Sequence, residues 1–362
     1  TDLPELARLV DTAGADVVGE VEQNRHRPAP GIFLGKGKLE ELKELVQDTD
    51  ATLVVFDNDL SPAQGRNLEK ALDVNVIDRT ELILDIFANH ASSRQARLQV
   101  ELAQLQYMLP RLTRLWSHLE RQAGGIGTRG PGETQLETDR RLVNKRIATL
   151  NRALKDIDSS RQTQVRAREG LFKVALVGYT NAGKSTLMNG ITGADVYVKD
   201  QLFATLDATT RRVEVDERRR FLLTDTVGFI RKLPHHLVDS FKATLEEVRE
   251  ADLMVHVVEA SSDDPDHQIH SVNSVLHEIV PTEKPTLMVF NKMDLVDREL
   301  FTNRYARLYP EAVFVAAKEE GGPEELRDTI LRKLTGAEKI HEVIVPIVNL
   351  HCLSRFHRSG SV

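Results

Sequence analysis

The sequence predicts an α/β protein made of a small N-terminal α/β domain, an antiparallel two-helix coiled-coil arm, and a larger domain with a doubly wound, mostly parallel sheet. Three observations support this. Short apolar runs alternate with amphipathic helices over the first 86 residues. Leucines then recur at heptad spacing. From residue 171 a new series of strands begins, and the first strand ends in a glycine-rich loop. The predicted domains are 1–86, the arm at 87–170, the larger domain at 171–336, and a short C-terminal segment at 337–362.

Composition limits the kinds of protein that this chain can be. It has 362 residues, 41% hydrophobic, and no apolar run approaches the ~20 residues that span a bilayer. The first residues, TDLPELARLVDTAG, are acidic and amphipathic, which is unlike a signal peptide. Cys352 is the single cysteine, which excludes an internal disulfide and a cysteine-based zinc site. We therefore expect a cytoplasmic monomer with no membrane partner.

The first 86 residues carry local signals of alternating helices and strands. Leu3 to Thr12 has helical periodicity, and Ala15 to Val21 is predicted to be a strand. Leu53 to Phe56 and Val74 to Ile77 are short apolar strands. Between them, Ser61-Pro62 provides an N-cap and a first-turn proline for a helix. This order favours a parallel sheet, and no residue here shows evident catalytic chemistry.

The arm is predicted from a seam of apolar residues spaced alternately four and three apart. The seam comprises Leu98, Leu102, Leu105, Leu109, Leu112, Trp116 and Leu119. Pro110 should kink this helix. After Gly124-Gly125 a second seam comprises Leu142, Ile147, Leu150, Leu154 and Ile157. Two long amphipathic helices joined by one loop, residues 124–141, most simply form an antiparallel hairpin.

The arm is basic in an otherwise acidic protein. Residues 91–170 contain 15 Lys/Arg and 8 Asp/Glu, a net +7, whereas the whole chain carries −7 and the remainder therefore −14. Five glycines and a proline interrupt the loop between residues 124 and 132. The candidate RNA-binding residues are Arg121, Arg129, Arg140 and Arg141. One interpretation is a flexible tip that enters folded RNA. The alternatives are a solvated, arginine-rich helix face and an ordinary flexible hairpin tip.

Residues 171–186, LFKVALVGYTNAGKST, fit the phosphate-binding pattern G-x-x-x-x-G-K-[ST] after a buried strand. Glycines let successive N–H groups point at phosphate oxygens, the lysine contacts the β- and γ-phosphates, and the serine hydroxyl coordinates Mg²⁺. The helix that follows adds its N-terminal dipole. The predicted nucleotide contacts are Gly178, Tyr179, Thr180, Asn181, Ala182, Gly183, Lys184, Ser185 and Thr186.

Two further segments have the features of phosphate sensors. The polar, threonine-rich stretch 201–210 contains the predicted nucleotide contacts Phe203, Ala204, Thr205, Leu206 and Asp207. Thr205 is the candidate for a second hydroxyl on Mg²⁺, and with Lys184 it would support the transition state. The second segment comprises Asp225, Thr226, Val227 and Gly228. Asp225 would hold Mg²⁺ through water, so the predicted metal residues are Ser185, Thr205 and Asp225.

The base is predicted to be guanine. A strand ends in the motif Asn291, Lys292, Met293 and Asp294. A carboxylate at Asp294 can accept from guanine N1 and N2, a donor pair that adenine lacks, and buried pairing of this kind discriminates strongly. After the next strand come Ala316, Ala317 and Lys318, where a backbone N–H would contact guanine O6. Four motifs in order, each at a strand's carboxyl end, predict a P-loop GTPase domain.

With these residues in hand, the chain resembles the HflX family among the translation-factor-related GTPases. The resemblance is carried by GGIGTRGPGETQLETDRR, GYTNAGKS, QLFATLD, DTVGFI and NKMD, and extends to VIDRTELILDIF and LQVELAQL. It implies a ribosome-associated GTPase that binds the large (50S) subunit, with the arm's loop directed toward 23S rRNA near the peptidyl-transferase region. The implied activity is splitting of stalled or idle 70S ribosomes, with GTP hydrolysis to GDP and phosphate resetting the protein.

Several points depart from that pattern or stay open. Ala316 stands where the family has a serine, and the segment from Ile340 is expected to be shorter than the family's C-terminal domain. Phe229 follows the DTVG motif, where many regulatory GTPases place a water-positioning glutamine, so slow intrinsic turnover stimulated by ribosomes is expected. No catalytic base is assigned. Asn181 is either a K⁺ ligand or a loop-stabilising residue. The alternative functions are a GTPase in ribosome assembly or RNA modification, and an RNA-binding protein with GTP as a structural ligand.

Overall fold

The computed structural model divides the chain into two compact units. The first comprises Thr1–Ala167, Lys199–Asp207 and Val227–Glu246, and the second comprises Arg168–Val198, Ala208–Thr226 and Glu247–Val362. The residues that the structure describes are 3–24, 27–112, 132–166, 171–193, 201–215, 219–232, 242–280 and 284–337. The predicted C-terminal segment thus lies outside the described residues, except for residue 337.

The N-terminal part of the first unit is a small α/β fold. Its elements are α1 (Leu3–Thr12), α2 (Lys36–Asp48), β1 (Leu53–Phe56), α3 (Pro62–Leu72), β2 (Asn75–Asp78) and α4 (Arg79–His90). Strands β1 and β2 pair in parallel, from Leu53 opposite Asn75 to Phe56 opposite Asp78. Helix α3 begins at a capping box in which Ser61 and Gln64 each accept from the other's backbone N–H, as the Ser-Pro sequence indicated.

The predicted strand from Ala15 to Val21 is wrong. The structure assigns these residues no strand, and the sheet of this part of the described chain has only β1 and β2. Val17 and Val18 are 45% and 56% exposed, whereas Val21 packs, partly buried, on the core cluster without pairing with a strand. Local alternation of apolar and polar residues cannot by itself supply the neighbouring strand that a pairing needs.

A buried arginine joins three elements of the first unit. Arg79, at the start of α4, is 2% exposed and forms ion pairs with Glu5 of α1 and with Asp57, the latter at 2.7 Å. Burial opposes a charged guanidinium, but the two carboxylates outweigh it and raise the pKa of Arg79. Its Nη2 also donates to the carbonyl of Arg231 at 3.2 Å.

The arm begins with α5 (Arg94–Met108), continues into a 3₁₀ turn (Leu109–Arg111) and resumes in α6 (Gly132–Arg166). The helical hydrogen bonding changes at Pro110, because proline has no N–H to donate. Helices α5 and α6 pack against each other, and Arg146 of α6 donates two hydrogen bonds of 2.6 and 2.8 Å to the Glu101 carboxylate. The seam residues Leu102, Leu112 and Leu150 are buried, but Leu142 is 57% exposed, so the predicted second seam is wrong at its first residue. The predicted loop lies outside the described residues up to residue 131.

The second unit is built on a six-stranded sheet with the order β4-β5-β3-β6-β7-β8. The strands are β3 (Phe172–Gly178), β4 (Thr209–Glu214), β5 (Arg220–Asp225), β6 (Leu253–Glu259), β7 (Thr286–Asn291) and β8 (Val313–Phe314). Only β4 runs antiparallel, pairing with β5 from Thr209 opposite Asp225. The doubly wound, mostly parallel sheet is therefore confirmed. The end of the stretch 201–210, predicted as a polar sensor loop, already belongs to the edge strand β4.

Helices accompany these strands along the chain. They are α7 (Lys184–Thr192), α8 (Lys242–Glu250), α9 (Pro265–Ile279), α10 (Arg298–Leu308) and α11 (Gly322–Ala337), with a 3₁₀ turn at Met293–Leu295. The first part of α8, up to Glu246, belongs to the first unit. One core cluster includes Val174, Leu176, Leu187, Val255 and Leu326, which come from β3, α7, β6 and α11. This core holds the carboxyl ends of β3, β5 and β7 at one edge of the sheet, where parallel strands of a doubly wound fold present their ligand-binding loops. None of the helices in the described part of the chain is both long and apolar enough to cross a membrane.

Candidate nucleotide site

The phosphate loop lies between the end of β3 at Gly178 and the start of α7 at Lys184. Asn181 and Gly183 have left-handed φ values of +61° and +91°, so the backbone curls tightly before the helix. A Cβ atom on Gly183 would lie 2.1 Å from Nδ2 of Asn291. Glycine is therefore required at position 183 by both the backbone conformation and the space around it.

Lys184 is buried beneath this loop. Its Nζ donates to the carbonyl oxygens of Gly178 at 3.2 Å and Tyr179 at 2.9 Å. Burial lowers the pKa of Lys184 to about 8, although the nearby Asp225 carboxylate favours the charged form. The lysine is thus held by the carbonyls of its own loop, at the amino end of a helix whose N–H groups attract anions.

Ser185 and Asp225 form the second part of the site. The Ser185 hydroxyl donates to Oδ2 of Asp225 at 2.6 Å, and the two residues lie at the start of α7 and the end of β5. Asp225 is opposite Leu176 in the β3–β5 register, and the Thr226 hydroxyl donates to the Leu176 carbonyl at 2.7 Å. A hydroxyl and a carboxylate side by side are the hard oxygen ligands that Mg²⁺ prefers, so the residues present fit this ion.

Asn291 connects the phosphate loop to the predicted base-binding turn at Ala317. Its side chain is 2% exposed, donates from Nδ2 to the Ala182 carbonyl at 2.8 Å, and accepts at Oδ1 from the Ala317 N–H at 2.9 Å. The two loops are therefore cross-linked through one carboxamide. This buried group has partners on both of its polar ends, which is what makes such a link stabilising.

The remaining predicted base contacts surround this link. Lys292 has a left-handed φ of +64° and pairs through Nζ with Glu259 at 2.8 Å. Asp294 lies in the 3₁₀ turn with its side chain exposed. Ala316 is buried, and Gly322 packs so closely on the Ala316 carbonyl that a Cβ atom there would lie 2.3 Å away. Ala316 therefore follows β8 in a tightly packed turn, with Lys318 exposed beyond it.

The other predicted residues fall elsewhere. The structure assigns Phe203 to Asp207, and also Val227 and Gly228, to segments of the first unit, whereas Asp225 and Thr226 belong to the second. Arg140 and Arg141 are exposed on α6. Arg121 and Arg129 lie outside the described residues.

Sequence reasoning missed two groups near the site. Glu259, the partner of Lys292, ends β6 at the same edge of the sheet as the predicted motifs, and that placement was a usable signal. His256 of β6 is 1% exposed, and its Nε2 has no hydrogen-bond partner in the described structure. Burial, followed by the charge of Lys184, lowers the pKa of His256 to about 4, so the ring is neutral near pH 7. Nothing in its local sequence marks this histidine.

A mostly parallel sheet whose first strand runs into a phosphate loop, with a hydroxyl–carboxylate pair and an Asn-Lys-x-Asp strand end, defines a P-loop GTPase. Three family models match the chain: GTP-binding GTPase N-terminal over residues 1–88, GTP-binding GTPase Middle Region over 90–168, and 50S ribosome-binding GTPase over 173–292.

Relatives with curated names extend the match to the whole chain. A GTPase HflX of Flavobacterium psychrophilum is 49% identical over 349 residues, which cover 91% of this chain and 84% of that protein. A GTPase HflX of Escherichia coli is 48% identical over 364 residues, 100% of this chain and 85% of that protein. The crystal structure of SsGBP in complex with GDP aligns with a TM-score of 0.51 at 26% identity, covering 92% of this chain and 96% of that one. The chain belongs to the HflX family of GTPases, and it is a GTP-hydrolysing enzyme.

Proposed function

We propose that this GTPase binds the large ribosomal subunit and splits stalled or idle 70S ribosomes into subunits, acting in the cytoplasm as a monomer. The observation that carries the proposal is a basic arm attached to a GTPase fold. On α6 the side chains of Arg140, Arg141, Lys145 and Arg152 are exposed to solvent. Exposed guanidinium and ammonium groups along one helix suit a phosphate backbone. The family model that matches residues 173–292 is described as a 50S ribosome-binding GTPase, which supports the same partner.

The proposed contact is with 23S rRNA near the peptidyl-transferase region, through Arg140, Arg141 and the tip residues Arg121 and Arg129. RNA of this kind is recognised through phosphates, shape and stacking rather than through a readable groove. Arg146 differs from its neighbours, because its guanidinium is engaged by Glu101 within the arm. The cationic face offered to RNA is therefore the part of α6 that does not pair with α5.

The GTP site is proposed to use the residues assembled above. Backbone N–H groups of residues 178–186 and Lys184 bind the phosphates, while Asp294 and the turn at 316–318 bind guanine. Ser185 and Thr205 would hold Mg²⁺ directly, with Asp225 acting through water. When bound, Mg²⁺ neutralises charge on the β- and γ-phosphate oxygens, as it does in P-loop GTPases generally.

Hydrolysis by the protein alone is proposed to be slow. Phe229, which follows the DTVG motif, is 1% exposed, and a phenyl ring cannot orient water by hydrogen bonding. The ribosome, or an ion, then completes the site. Asn181, whose left-handed φ turns the phosphate loop, is the proposed K⁺ ligand. Comparing the rates of hydrolysis in K⁺ and in Na⁺ tests that ion, and equal rates would remove it.

Sedimentation of 70S particles tests the proposed function. Purified 70S ribosomes are incubated with the protein and GTP, GDP or a non-hydrolysable GTP analogue, and the subunits are resolved on a sucrose gradient. We expect subunits to separate with GTP and with the analogue, but not with GDP. Intact 70S particles in every nucleotide state would contradict splitting and favour a role in ribosome assembly or RNA modification. Hydrolysis that ribosomes do not stimulate would favour GTP as a structural ligand.

Charge substitutions make this assay specific. Arg140→Ala/Arg141→Ala should weaken 50S binding and reduce its salt dependence, by a slope of about one per lost phosphate contact. Arg307→Ala, on α10 of the second unit, removes an arginine that is also exposed and serves as the control. Both variants should hydrolyse GTP normally without ribosomes. Equal 50S affinity for the two variants would contradict the proposed arm contact.

A further inference from the structure

The segment 203–207, which contains the proposed Mg²⁺ ligand Thr205, is held at both of its ends by other residues of the first unit. At one end the Phe203 ring is 1% exposed and packs edge-on against Phe87 of α4, with ring centroids 4.7 Å apart and planes at 84°. Phe203 also has a left-handed φ of +56°, a conformation that non-glycine residues keep only where surrounding contacts hold it.

At the other end the Asp207 carboxylate lies against the start of α5. It accepts from the backbone N–H groups of Ser92 at 3.2 Å and Ser93 at 2.9 Å. It also accepts from the Ser92 hydroxyl at 2.7 Å and from the Ser93 hydroxyl.

The same contact completes the N-terminus of α5. Ser93 is the N-cap of that helix and its hydroxyl oxygen accepts from the Ala96 N–H at 3.0 Å. An anion next to unpaired N–H groups at the first turn of a helix is favourable in both hydrogen bonding and dipole. All four donors belong to Ser92 and Ser93, so they tie Asp207 to the two residues immediately before the first turn of α5.

We propose that Asp207 and Phe203 are positioning residues for GTP hydrolysis, because they fix the two ends of the stretch 204–206 within the first unit and so restrict the conformations open to Thr205, the proposed Mg²⁺ ligand. The inference rests on the role proposed for Thr205. Preorganisation of this kind reduces the freedom that the loop loses when the triphosphate binds. GDP lacks the γ-phosphate that orders such loops in GTPases. We therefore expect GDP binding not to depend on the contacts of Phe203 and Asp207.

The experiment compares GTP with GDP. Asp207→Ala and Ser92→Ala/Ser93→Ala should each weaken binding of a non-hydrolysable GTP analogue and lower kcat by between about tenfold and a hundredfold, as a misplaced ligand does. GDP affinity should stay within about twofold, because the anchors act only through the triphosphate-bound loop. Combining the substitutions should add little to Asp207→Ala alone, because the two serine hydroxyls have lost their shared acceptor once Asp207 is alanine.

One further variant and one further measurement separate positioning from simple loss of structure. Ser61→Ala removes the N-cap of α3, a cap of the same kind in the same unit whose described side-chain hydrogen bond is to Gln64, and should leave the GTP-to-GDP affinity ratio unchanged. Thermal unfolding identifies any variant that has lost its fold. The inference would be overturned if Asp207→Ala left the GTP-to-GDP affinity ratio unchanged or lowered GDP affinity as much as GTP affinity. It would also be overturned if the effects of Asp207→Ala and Ser92→Ala/Ser93→Ala were fully additive.

Thr205→Ala distinguishes failure of the inference from failure of the function on which it rests. If it lowers the affinity ratio and Asp207→Ala does not, Thr205 binds as proposed and the anchoring is overturned. If it leaves the ratio unchanged, the role proposed for Thr205 is wrong and the anchoring falls with it. Ribosome splitting is measured separately by sedimentation, so neither result depends on it.

Discussion

The Ser185 hydroxyl donates a 2.6 Å hydrogen bond to Oδ2 of Asp225, and this bond joins the first turn of α7 to the end of β5. Asp225→Asn replaces one of the carboxylate oxygens with an N–H donor. We expect the Mg²⁺ concentration for half-maximal GTP hydrolysis to rise by about 10- to 100-fold, the usual cost of disturbing groups that orient metal ligands. A Mg²⁺ titration of hydrolysis measures the change.

The control for this substitution is Asp252→Asn. Asp252 also contacts β3, but at its other end, where its carboxylate accepts from the Lys173 N–H at 2.8 Å. It should leave the Mg²⁺ requirement unchanged. An equal Mg²⁺ requirement for Asp225→Asn and Asp252→Asn would contradict a metal role for Asp225.

Nucleotide binding should take up a proton above neutral pH. Burial lowers the pKa of Lys184 to about 8 in the nucleotide-free protein, and phosphate oxygens would raise it again. Near pH 7 the lysine is already charged and uptake is small. At about pH 9 it is mostly neutral, so uptake approaches one proton and affinity falls by up to about tenfold per pH unit.

Calorimetry in two buffers of different ionisation enthalpy measures this proton directly. Lys184→Arg provides the comparison, because arginine stays protonated throughout this range. If Lys184→Arg still binds GDP, its binding should take up no proton at pH 9. Proton uptake that is the same at pH 7 and pH 9 in the unsubstituted protein would contradict the pKa assigned to Lys184.

The phosphate loop should not tolerate a side chain at Gly183. In Gly183→Ala the new Cβ would meet Nδ2 of Asn291 and would occupy a left-handed backbone, whose strain alone costs roughly 1–2 kcal/mol. We expect GDP affinity to fall more than tenfold, about 1.4 kcal/mol or more. Gly193→Ala, with a φ of +63° and nothing within 4 Å of its Cβ, imposes the strain without the collision. Equal GDP affinity in the two variants would mean that the Asn291 contact is unimportant.

Guanine selectivity should depend on Asp294. Asp294→Asn turns one acceptor into a donor, which suits the 2-carbonyl of xanthine and not the 2-amino group of guanine. We expect GTP affinity to fall by about a hundredfold or more while affinity for xanthosine triphosphate rises. Competition binding with GTP, ATP and xanthosine triphosphate measures both. Unchanged preference for GTP would exclude Asp294 from the base site.

Stability of the first unit should depend on Arg79. Arg79→Met removes the buried guanidinium from both the Glu5 and the Asp57 carboxylate, although Lys232 still pairs with Asp57 at 2.5 Å. Breaking buried pairs in this way costs about 3–5 kcal/mol. Urea unfolding measures the loss. Adding Glu5→Gln and Asp57→Asn should recover part of it. A loss below about 1 kcal/mol would contradict this, because it would mean that the ion pairs of Arg79 contribute as little net stability as exposed ion pairs do.

Much of the second unit was predictable because its signals are local. A buried run ending in Gly178, the glycine and lysine of the loop, and the Asn-Lys-x-Asp strand end each depend on neighbours in sequence. The chain order of these motifs then predicted the parallel sheet. The antiparallel β4 was not predicted, because the stretch before it is polar and its pairing with β5 depends on a strand further along the chain.

The contacts that could not be predicted join residues far apart in sequence. Asp207 and Ser93 are 114 residues apart, and no periodicity or motif connects them. Ala15 to Val21 shows the opposite failure, since its residue types suit a strand but no strand pairs with it in the described structure. In each case the deciding factor is which surface the tertiary fold brings alongside, and single-sequence patterns do not contain that information.

The side chain of Asn291 touches the phosphate loop with one atom and the loop at Ala317 with another. A ligand that orders one of these loops therefore also reduces the conformational freedom of the other loop before a second ligand binds there. Pyrophosphate and guanosine, offered as separate molecules, should each tighten the binding of the other, so the protein responds to the intact nucleotide more sharply than to the sum of its halves.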